Sequence, residues 1–584
     1  MHLKALRIRN FAGIRRADLS FDGTTVLIGE NNCGKSSLLE ALLLVLDPRA
    51  EEHPRFELRH FHQPAGHRRE PHDPSAKMAP IRIELVFDEK RIGAWNHPDM
   101  QALTRLIAKG NGALRQISVR LEAAPPTDGT SNAPASWTIG PVNGANNSKN
   151  DPELLALIRR LNPLIDLRGC PLSAAATGRR NSDEPWLADD PEARKLQQRV
   201  DRHFHAVVSG GSQDRDVDIE AGVAAAEELL DHMGVRLDPG AGLGQKAIGE
   251  LVGRSARLAQ TETGRNRLPS TSIQRLGLLI FTAVILRALP RGNGHPDWPI
   301  LIIEDPEAHL HRMTLAAVWR LVRGFDVQKI ITTHSATLLA ASSLTSLRRL
   351  TRHNGDVLEW RVHENALSDR ELRKLGYHLR ARRGEAAFAR AWILVEGETE
   401  FWVINELARI EGRDFDLEGI ACVEFAQCGI PPLVKAAREL GIEWHLLTDG
   451  DAAGRSYVER ARSLFIEGDD EDERITRLIE PSLEQCFHDH GYASVFQRLA
   501  GFRGDPGPNI SPQQVIERAL KRHAKPDIAL QLVMAAAESG SPGVPGPLAT
   551  MIETVVHMAR QAPARGNAAR NGHGTGHQDI DTKS

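Results

Sequence analysis

The chain has only five cysteines, Cys33, Cys170, Cys422, Cys428 and Cys486, and no two of them form a CxxC pair. That absence excludes zinc ribbons and thioredoxin-like redox motifs. An odd, scattered set suits a reducing compartment better than a disulfide framework. Cys486 has His488 and His490 close in sequence, but with no second cluster they read as chance neighbours. Long apolar runs are also missing. The longest, 38–46 and 277–286, are too short or too interrupted to cross a bilayer, and the opening MHLKALRIRN is no signal peptide. The expectation is a cytoplasmic protein with no membrane contact. There is no charge bias either. The formal net charge is −3, so the chain as a whole is not a basic coat for nucleic acid. Any DNA contact must come from local patches or from cations held between carboxylates.

What is present is length and alternation. A chain of 584 residues leaves room for roughly two to four domains. Positions 26–28 read as a short buried strand ending at Gly29, and the helix that follows is apolar nearly all round, as a sandwiched helix should be. Segments 81–87 and 117–121 alternate like half-exposed antiparallel strands. The stretch 125–149 reads as loops, and 190–233 as helices broken by Ser209-Gly210-Gly211-Ser212. A long apolar helix at 268–289 precedes strands at 300–303 and 329–333. A linker near 368–386 then leads to a second α/β unit opening at 392–395. From 562 onward large apolar residues almost vanish, which predicts a disordered tail. No internal repeat is visible.

The run Gly29-Glu30-Asn31-Asn32-Cys33-Gly34-Lys35-Ser36-Ser37 fits GxxxxGK[ST], with a strand before it and a helix after it. The glycines Gly29 and Gly34, with Asn31 and Asn32 between them, let backbone N–H groups face a phosphate chain. Lys35 brings a point charge to the β/γ-phosphates, and the Ser36 hydroxyl can ligate magnesium. A second core strand ends in Glu304-Asp305 and a third in His334. In a parallel sheet these ends share one edge. Glu304 is the candidate for magnesium, Asp305 for polarising the attacking water, and His334 for sensing the γ-phosphate.

A second set of acids repeats the design. Strand 392–395 delivers Glu396 and, on the next helix, Glu400; strand 444–448 delivers Asp449-Gly450-Asp451. Ser482, Glu484 and Lys525-Pro526 follow downstream. Carboxylates at the ends of adjacent parallel strands can hold two divalent cations, the arrangement that cleaves phosphodiesters. An all-oxygen set favours magnesium or manganese over zinc. The acidic run 469–473 has no apolar strand to position it and reads as a solvated loop.

ENNCGKSSLLEAL, IIEDPEAHLH and ITTHSATLL resemble the heads of ABC ATPases, especially the SMC-like and OLD (overcoming lysogenization defect) branch, while VEGETE followed by TDGDAAG resembles a Toprim domain. Together they resemble class 2 OLD proteins over nearly the whole chain. The resemblance implies an α/β protein: an ABC-type P-loop ATPase head (1–165 and 245–375), split by a helical dimerisation insert (166–244) and followed by a Toprim domain, a Rossmann-like parallel sheet (376–561), with 562–584 as tail. A topoisomerase would need a tyrosine nucleophile on a separate module, and the only tyrosines are Tyr377, Tyr457 and Tyr492; a primase would bring a zinc ribbon. The trans-acting signature of the branch falls at PSTSIQRLG, where Ser270 and Ser272 replace expected glycines and Gln274 and Arg275 are retained. Serine takes φ > 0 less readily than glycine, which points to slow hydrolysis. Carried over residue by residue, Glu396 and Glu400 bind metal with Asp449 and Asp451. Ser482 and Glu484 complete the second metal position, with Glu480 as a rival for the role of Glu484, and Lys525 stabilises developing phosphate charge. The implied cofactors are ATP and Mg2+, with Mn2+ or Ca2+ as substitutes at the Toprim site. The implied activity is ATP-linked DNA endonuclease cleavage in bacterial phage defence or DNA repair. The implied partners are DNA, a second copy of the chain and, by gene neighbourhood in the class, a helicase. The alternative is an SMC-like clamp that uses ATP to load on DNA without cutting it.

The resemblance also implies a composite ATP site, in which the signature of one copy closes over the nucleotide on another, and hence a dimer with much of its contact in 166–244. Replacing that span by a short linker should therefore give a monomer by light scattering. A deletion that stays as dimeric as the parent, with the head still folded, places dimerisation elsewhere.

Overall fold

A computed structural model of the chain describes residues 1–47, 54–63, 78–109, 114–126, 133–142, 147–166, 299–308, 327–381, 384–504 and 509–572, with scattered positions between these stretches. The expected insert beyond 166, the apolar helix at 268–289 and the signature residues Ser270, Ser272, Gln274 and Arg275 lie outside the described residues. The chain divides into two compact units, Met1–Ser342 with Asn354–Glu359, and Ser343–His353 with Trp360–Ser584. No helix among the described residues is long and apolar enough to cross a membrane.

In the first unit, strand His2–Phe11 pairs antiparallel with Ile14–Ser20 and with Ile81–Asp88, and Arg115–Ala123 and Ala133–Gly140 extend the meander. The alternation at 81–87 predicts a half-exposed strand, yet only Arg82 of it is exposed. Cross-strand pairing absorbs the polar positions. Glu84 stands opposite Arg7 and Arg120 and accepts hydrogen bonds from them at 3.1 and 2.9 Å, so its charge is buried but compensated. The other part of the sheet is parallel, in the order Leu164–Asp166, Ile300–Glu304, Gln328–Thr332, Thr24–Gly29. These strands are continuous apolar runs because both faces are covered. Their register sets Glu304 level with Thr332, and Thr332 with Leu27, so the phosphate loop and the acids emerge at one edge. Helix Lys35–Leu46 buries Leu38, Leu39, Ala41, Leu42, Leu43, Val45 and Leu46, as its all-round apolarity predicts.

The second unit holds a four-stranded parallel sheet in the order Ile420–Glu424, Ala391–Val395, Glu443–Thr448, Ile475–Arg477. Apolar clusters cover both faces, one around Ile393, Val395 and Leu447 and one around Trp392, Leu394 and Trp444. This is the doubly wound α/β layout that the strand–acid–helix pattern implies. The unit begins at Ser343, upstream of the expected 376, because Arg349 is buried in it and donates to the carbonyls of Leu440, Gly441 and Ala389 at 2.8–3.0 Å. The acidic run 469–473 is not a free loop either. The Asp469 side chain is 4% exposed and accepts from Arg474 at 3.0 Å as well as from Arg438, while Asp470 caps the short helix Glu471–Arg474. The last helix, Gly546–Gly572, continues past Ala562 into the expected tail. Alanines at 562, 564, 568 and 569 favour helix without supplying the large apolar residues by which a buried helix is recognised.

One side chain ties the start of the first unit to its parallel strands. Gln328, fully buried, accepts from Leu3 N at 2.9 Å and donates to Leu3 O at 2.7 Å and to Asp22 O at 3.2 Å. Gln328→Ala strands those peptide groups without partners. It should destabilise the first unit by about 1–3 kcal/mol, read as a lowered denaturant midpoint with the second unit's transition unmoved.

Candidate functional sites

In the first unit the loop 30–34 follows strand Thr24–Gly29 and hands over to helix Lys35–Leu46 at Gly34, whose φ of 104° is left-handed. A Cβ at Gly34 would lie 3.3 Å from Val357 Cγ2, so glycine is needed for conformation and for space. Asn32 is also left-handed (φ 67°), which asparagine tolerates. The Lys35 ammonium is buried and turns back onto the loop, donating to Gly29 O at 2.9 Å and Glu30 O at 3.1 Å. Ser36 Oγ donates to Glu304 Oε1 at 2.7 Å. Hydroxyl and carboxylate, far apart in sequence, thus meet, and the pair could hold a divalent cation. Asn31 is exposed and Ser37 half-buried beside them.

Asp305 takes a left-handed φ of 42°. Its N–H donates to Thr332 O and Oγ1, both at 3.1 Å, and its Oδ1 accepts from Thr332 Oγ1 at 3.0 Å. Glu307 plays a part that the sequence analysis missed. It accepts from Thr333 Oγ1 at 2.8 Å and from the backbone N–H of His334, so it fixes the turn that presents the exposed His334. The only sequence signal was a third acid in IIEDPEAHLH.

In the second unit, Glu396 follows strand Ala391–Val395, and Gly397 caps helix Glu398–Ile410. Glu400 Oε2 accepts from Gly397 N at 3.0 Å, one turn back. Asp449 follows strand Glu443–Thr448, and Asp451 caps helix Ala452–Arg462 by accepting from Gly454 N at 2.7 Å. The glycine between the two aspartates is obligatory. A Cβ at Gly450 would come within 2.6 Å of the carbonyl oxygens of Leu478, Ile479 and Glu480, because that loop crosses directly over it, and Gly450 N donates to Glu480 O at 2.9 Å.

These acids share one electrostatic environment. The Asp449 carboxyl is pushed up to about 7, first by burial and then by the charges of Glu400, Glu484, Glu396 and Asp451. Glu396 is raised too, by burial and by Glu400 and Asp451, with Lys525 and the Tyr457 hydroxyl pulling the other way. Glu484 is buried and has Lys525 Nζ at 3.5 Å from its Oε1. Lys525, the first residue of helix Lys525–Ala537, is thereby brought to the acids from more than forty positions downstream. Glu484, not its rival Glu480, acts on Asp449; Glu480 turns to His490 and Cys486. Ser482 is in place as the cap of helix Leu483–Phe487, its hydroxyl accepting from Gln485 N at 3.2 Å. With carboxylates outnumbering the single lysine, the donor set fits hard divalent cations.

Family models match both parts of the chain. The model described as "Protein of unknown function (DUF2813)" covers residues 1–386. The model described as "Overcoming lysogenization defect protein-like, TOPRIM domain" covers 388–451. The "Uncharacterized protein YbjD" of Escherichia coli (strain K12) is 34% identical over 572 residues, 96% of this chain and 99% of its own length. The "OLD nuclease" of Thermus scotoductus (strain ATCC 700910 / SA-01) is 26% identical over 517 residues, 82% of this chain and 91% of its own. Among solved structures, the C-terminal region of the Burkholderia pseudomallei OLD protein is 20% identical, covering 30% of this chain and 99% of its own with a TM-score of 0.24. The SMC head domain from Thermotoga maritima is 14% identical, covering 62% and 100% with a TM-score of 0.31. Both scores are low, and the assignment rests on the sequence matches. The chain belongs to the OLD family of ATPase–Toprim proteins, with a DUF2813-type head joined to an OLD-like Toprim domain.

The raised carboxyl has a measurable consequence. The folded chain keeps the Asp449 proton up to about 7, whereas an unfolded chain releases it near the ordinary 3.8. The folded state therefore binds more protons between those values, and stability falls as pH rises through that window. In metal-free protein, Asp449→Asn should remove this component and raise the Tm at pH about 8, by about 2–4 °C for each kcal/mol of repulsion relieved. Identical pH slopes for the two proteins would refute burial and repulsion as the cause.

Proposed function

We propose that the chain binds ATP with Mg2+ at the first unit and cleaves DNA phosphodiester bonds at the second, as a metal-dependent endonuclease that nicks or linearises duplex DNA. The observation that carries this reading is the convergence of Glu396, Glu400, Asp449, Asp451 and Glu484 around one partly buried, electrostatically stressed point, with Lys525 beside it. A clamp that only embraces DNA has no use for such a point. Divalent cations held there, Mg2+ or Mn2+, would supply an activated water and neutralise the leaving oxygen. The protein's own groups do the rest. Asp449, which the charges of Glu400, Glu484, Glu396 and Asp451 all act on, would give up its proton when a cation binds. Lys525, aligned by Glu484, adds a compact positive charge where the phosphate becomes more negative. In the first unit Lys35 leaves its loop carbonyls for the phosphates, Ser36 and Glu304 hold the cation, and Asp305 orients the attacking water with His334 near the terminal phosphate. A second copy supplying the signature Gln274 and Arg275 would complete that site. Phage defence or DNA repair is the setting the family resemblance implies.

Purified protein should nick plasmid with Mg2+ or Mn2+ and stop with EDTA. Lys525→Ala should still bind Mn2+ yet cut on the order of a hundred- to a thousand-fold more slowly, and Lys525→Arg should rescue only part, because a planar fork replaces a compact ammonium. Lys521→Ala is the control, an exposed lysine on the preceding helix Pro512–Arg522. Lys35→Ala should abolish ATP turnover, while Asp449→Ala should abolish cutting and leave turnover unchanged. Cutting by Lys525→Ala at the rate of Lys521→Ala removes Lys525 from the site, and cutting by Asp449→Ala removes the nuclease assignment.

A further inference from the structure

Beside the carboxylate site lies a second group of ligand-type atoms with different chemistry. Glu480 sits in the loop after strand Ile475–Arg477, Cys486 in helix Leu483–Phe487, and His490 at the kink that separates this helix from Ala493–Leu499. One ligand atom from each lies within 4.8 Å of the others. Cys486 Sγ is 3.8 Å from His490 Nδ1, and His490 Nδ1 is 3.9 Å from Glu480 Oε1. Zinc bonds of about 2.0–2.3 Å in a tetrahedron put ligand atoms about 3.3–3.6 Å apart. The two sides that meet at His490 need to contract by only a few tenths of an ångström, and the third, between Cys486 and Glu480, lies within 4.8 Å.

Two independent features make this more than proximity. Glu480 Oε2 is buried and has no hydrogen-bond partner, and an orphaned buried carboxylate oxygen is a costly group whose usual explanation includes an ion. The chain is also kinked to bring His490 round. His490 and Gly491 leave helical geometry, Gly491 is left-handed at φ 102°, and a Cβ on it would lie 2.7 Å from Pro542 Cγ. The other histidine of the cluster, His488, turns away to Asp489 at 2.9 Å. A thiolate, an imidazole and a carboxylate form a soft-to-borderline donor set, which selects zinc-class ions over magnesium.

We infer that Glu480, Cys486 and His490 bind a thiophilic divalent cation of the zinc class, separate from the oxygen-ligated cations of the Toprim acids, and that it clamps the segment carrying Ser482 and Glu484. Binding releases the Cys486 thiol proton and exchanges the present contact between His490 Nδ1 and Cys486 O (2.8 Å) for the metal bond. Three protein ligands leave a fourth position for water. The clamp follows from the sequence order, since Glu480 and Cys486 bracket Glu484, and the backbone of Glu480 already receives the N–H of Gly450 between the two aspartates. One ion would thereby fix both the arm bearing Glu484 and the loop over Asp449. This inference does not depend on the Toprim acids cutting DNA.

The test is cobalt titration of chelator-stripped full-length protein without Mg2+ or Mn2+. Co2+ should bind at one equivalent with a near-ultraviolet thiolate-to-cobalt charge-transfer band, which an all-oxygen site cannot produce, and Zn2+ should bleach it. Cys486→Ser should abolish the band, while Cys422→Ser, Cys428→Ser and Asp449→Asn keep it. His490→Gln and the isosteric Glu480→Gln retain the thiol and should each weaken Co2+ binding at least about ten-fold; they decide the matter should Cys486→Ser fold poorly. Absence of the band, its persistence in Cys486→Ser, or wild-type affinity in both His490→Gln and Glu480→Gln overturns the inference.

Discussion

Repulsion among the carboxylates around Asp449 is the constraint to which much of the second unit is fitted. Each acid stands at the end of a buried parallel strand or in the first turn of a helix, where the chain cannot carry it away from its neighbours. The rigid apolar layers on both faces of the sheet hold the acids together against their mutual charge. Helix N-termini lessen the cost: Glu400 and Asp451 spend a carboxylate oxygen on N–H groups at the starts of their helices, where the backbone dipoles favour negative charge. Lys525 supplies a cation beside Glu484. What remains uncompensated is the electrostatic demand that a divalent ion meets.

The first unit solves a different problem with the same layout. Its three strand ends carry a cationic loop, an acid pair and a histidine, and side-chain hydrogen bonds link them in pairs: Ser36 with Glu304, Thr332 with Asp305, Glu307 with the His334 turn. Each link spans two strands, so a change at any one loop is felt at its neighbour. A coupled edge of this kind suits a site that must respond to a terminal phosphate being present or gone.

The sequence made some of this legible and hid the rest for physical reasons. A phosphate loop is a local object, written in eight adjacent residues with fixed flanks, and it was read whole. The acids behind apolar strands were readable because strand, acid and helix are also contiguous. Lys525 and Glu484 were read through resemblance, since nothing local ties a helix-start lysine to a carboxylate some forty residues earlier. Three features escaped. The demand for glycine at Gly450 comes from a chain crossing contributed by 478–480. The burial of Asp469 comes from Arg438 and Arg474, which converge on it only in three dimensions. The boundary at Ser343 reflects what Arg349 bonds to, and composition carries no trace of it. The nearness of Glu480 to Cys486 and His490 is hidden for the same reason, since the three come together only in the folded chain.

The self-bonded state of Lys35 bears on what nucleotide binding is worth. Its ammonium already has two carbonyl partners, and Ser36 already has Glu304. These donors are therefore satisfied within the chain. Seating a phosphate chain is an exchange of partners, and the net gain is the difference between a charged phosphate and a neutral carbonyl as acceptor. That gain grows with the negative charge of the anion that replaces the carbonyls. Giving up those intramolecular partners is thus a cost that any phosphate chain seated on this loop would have to meet.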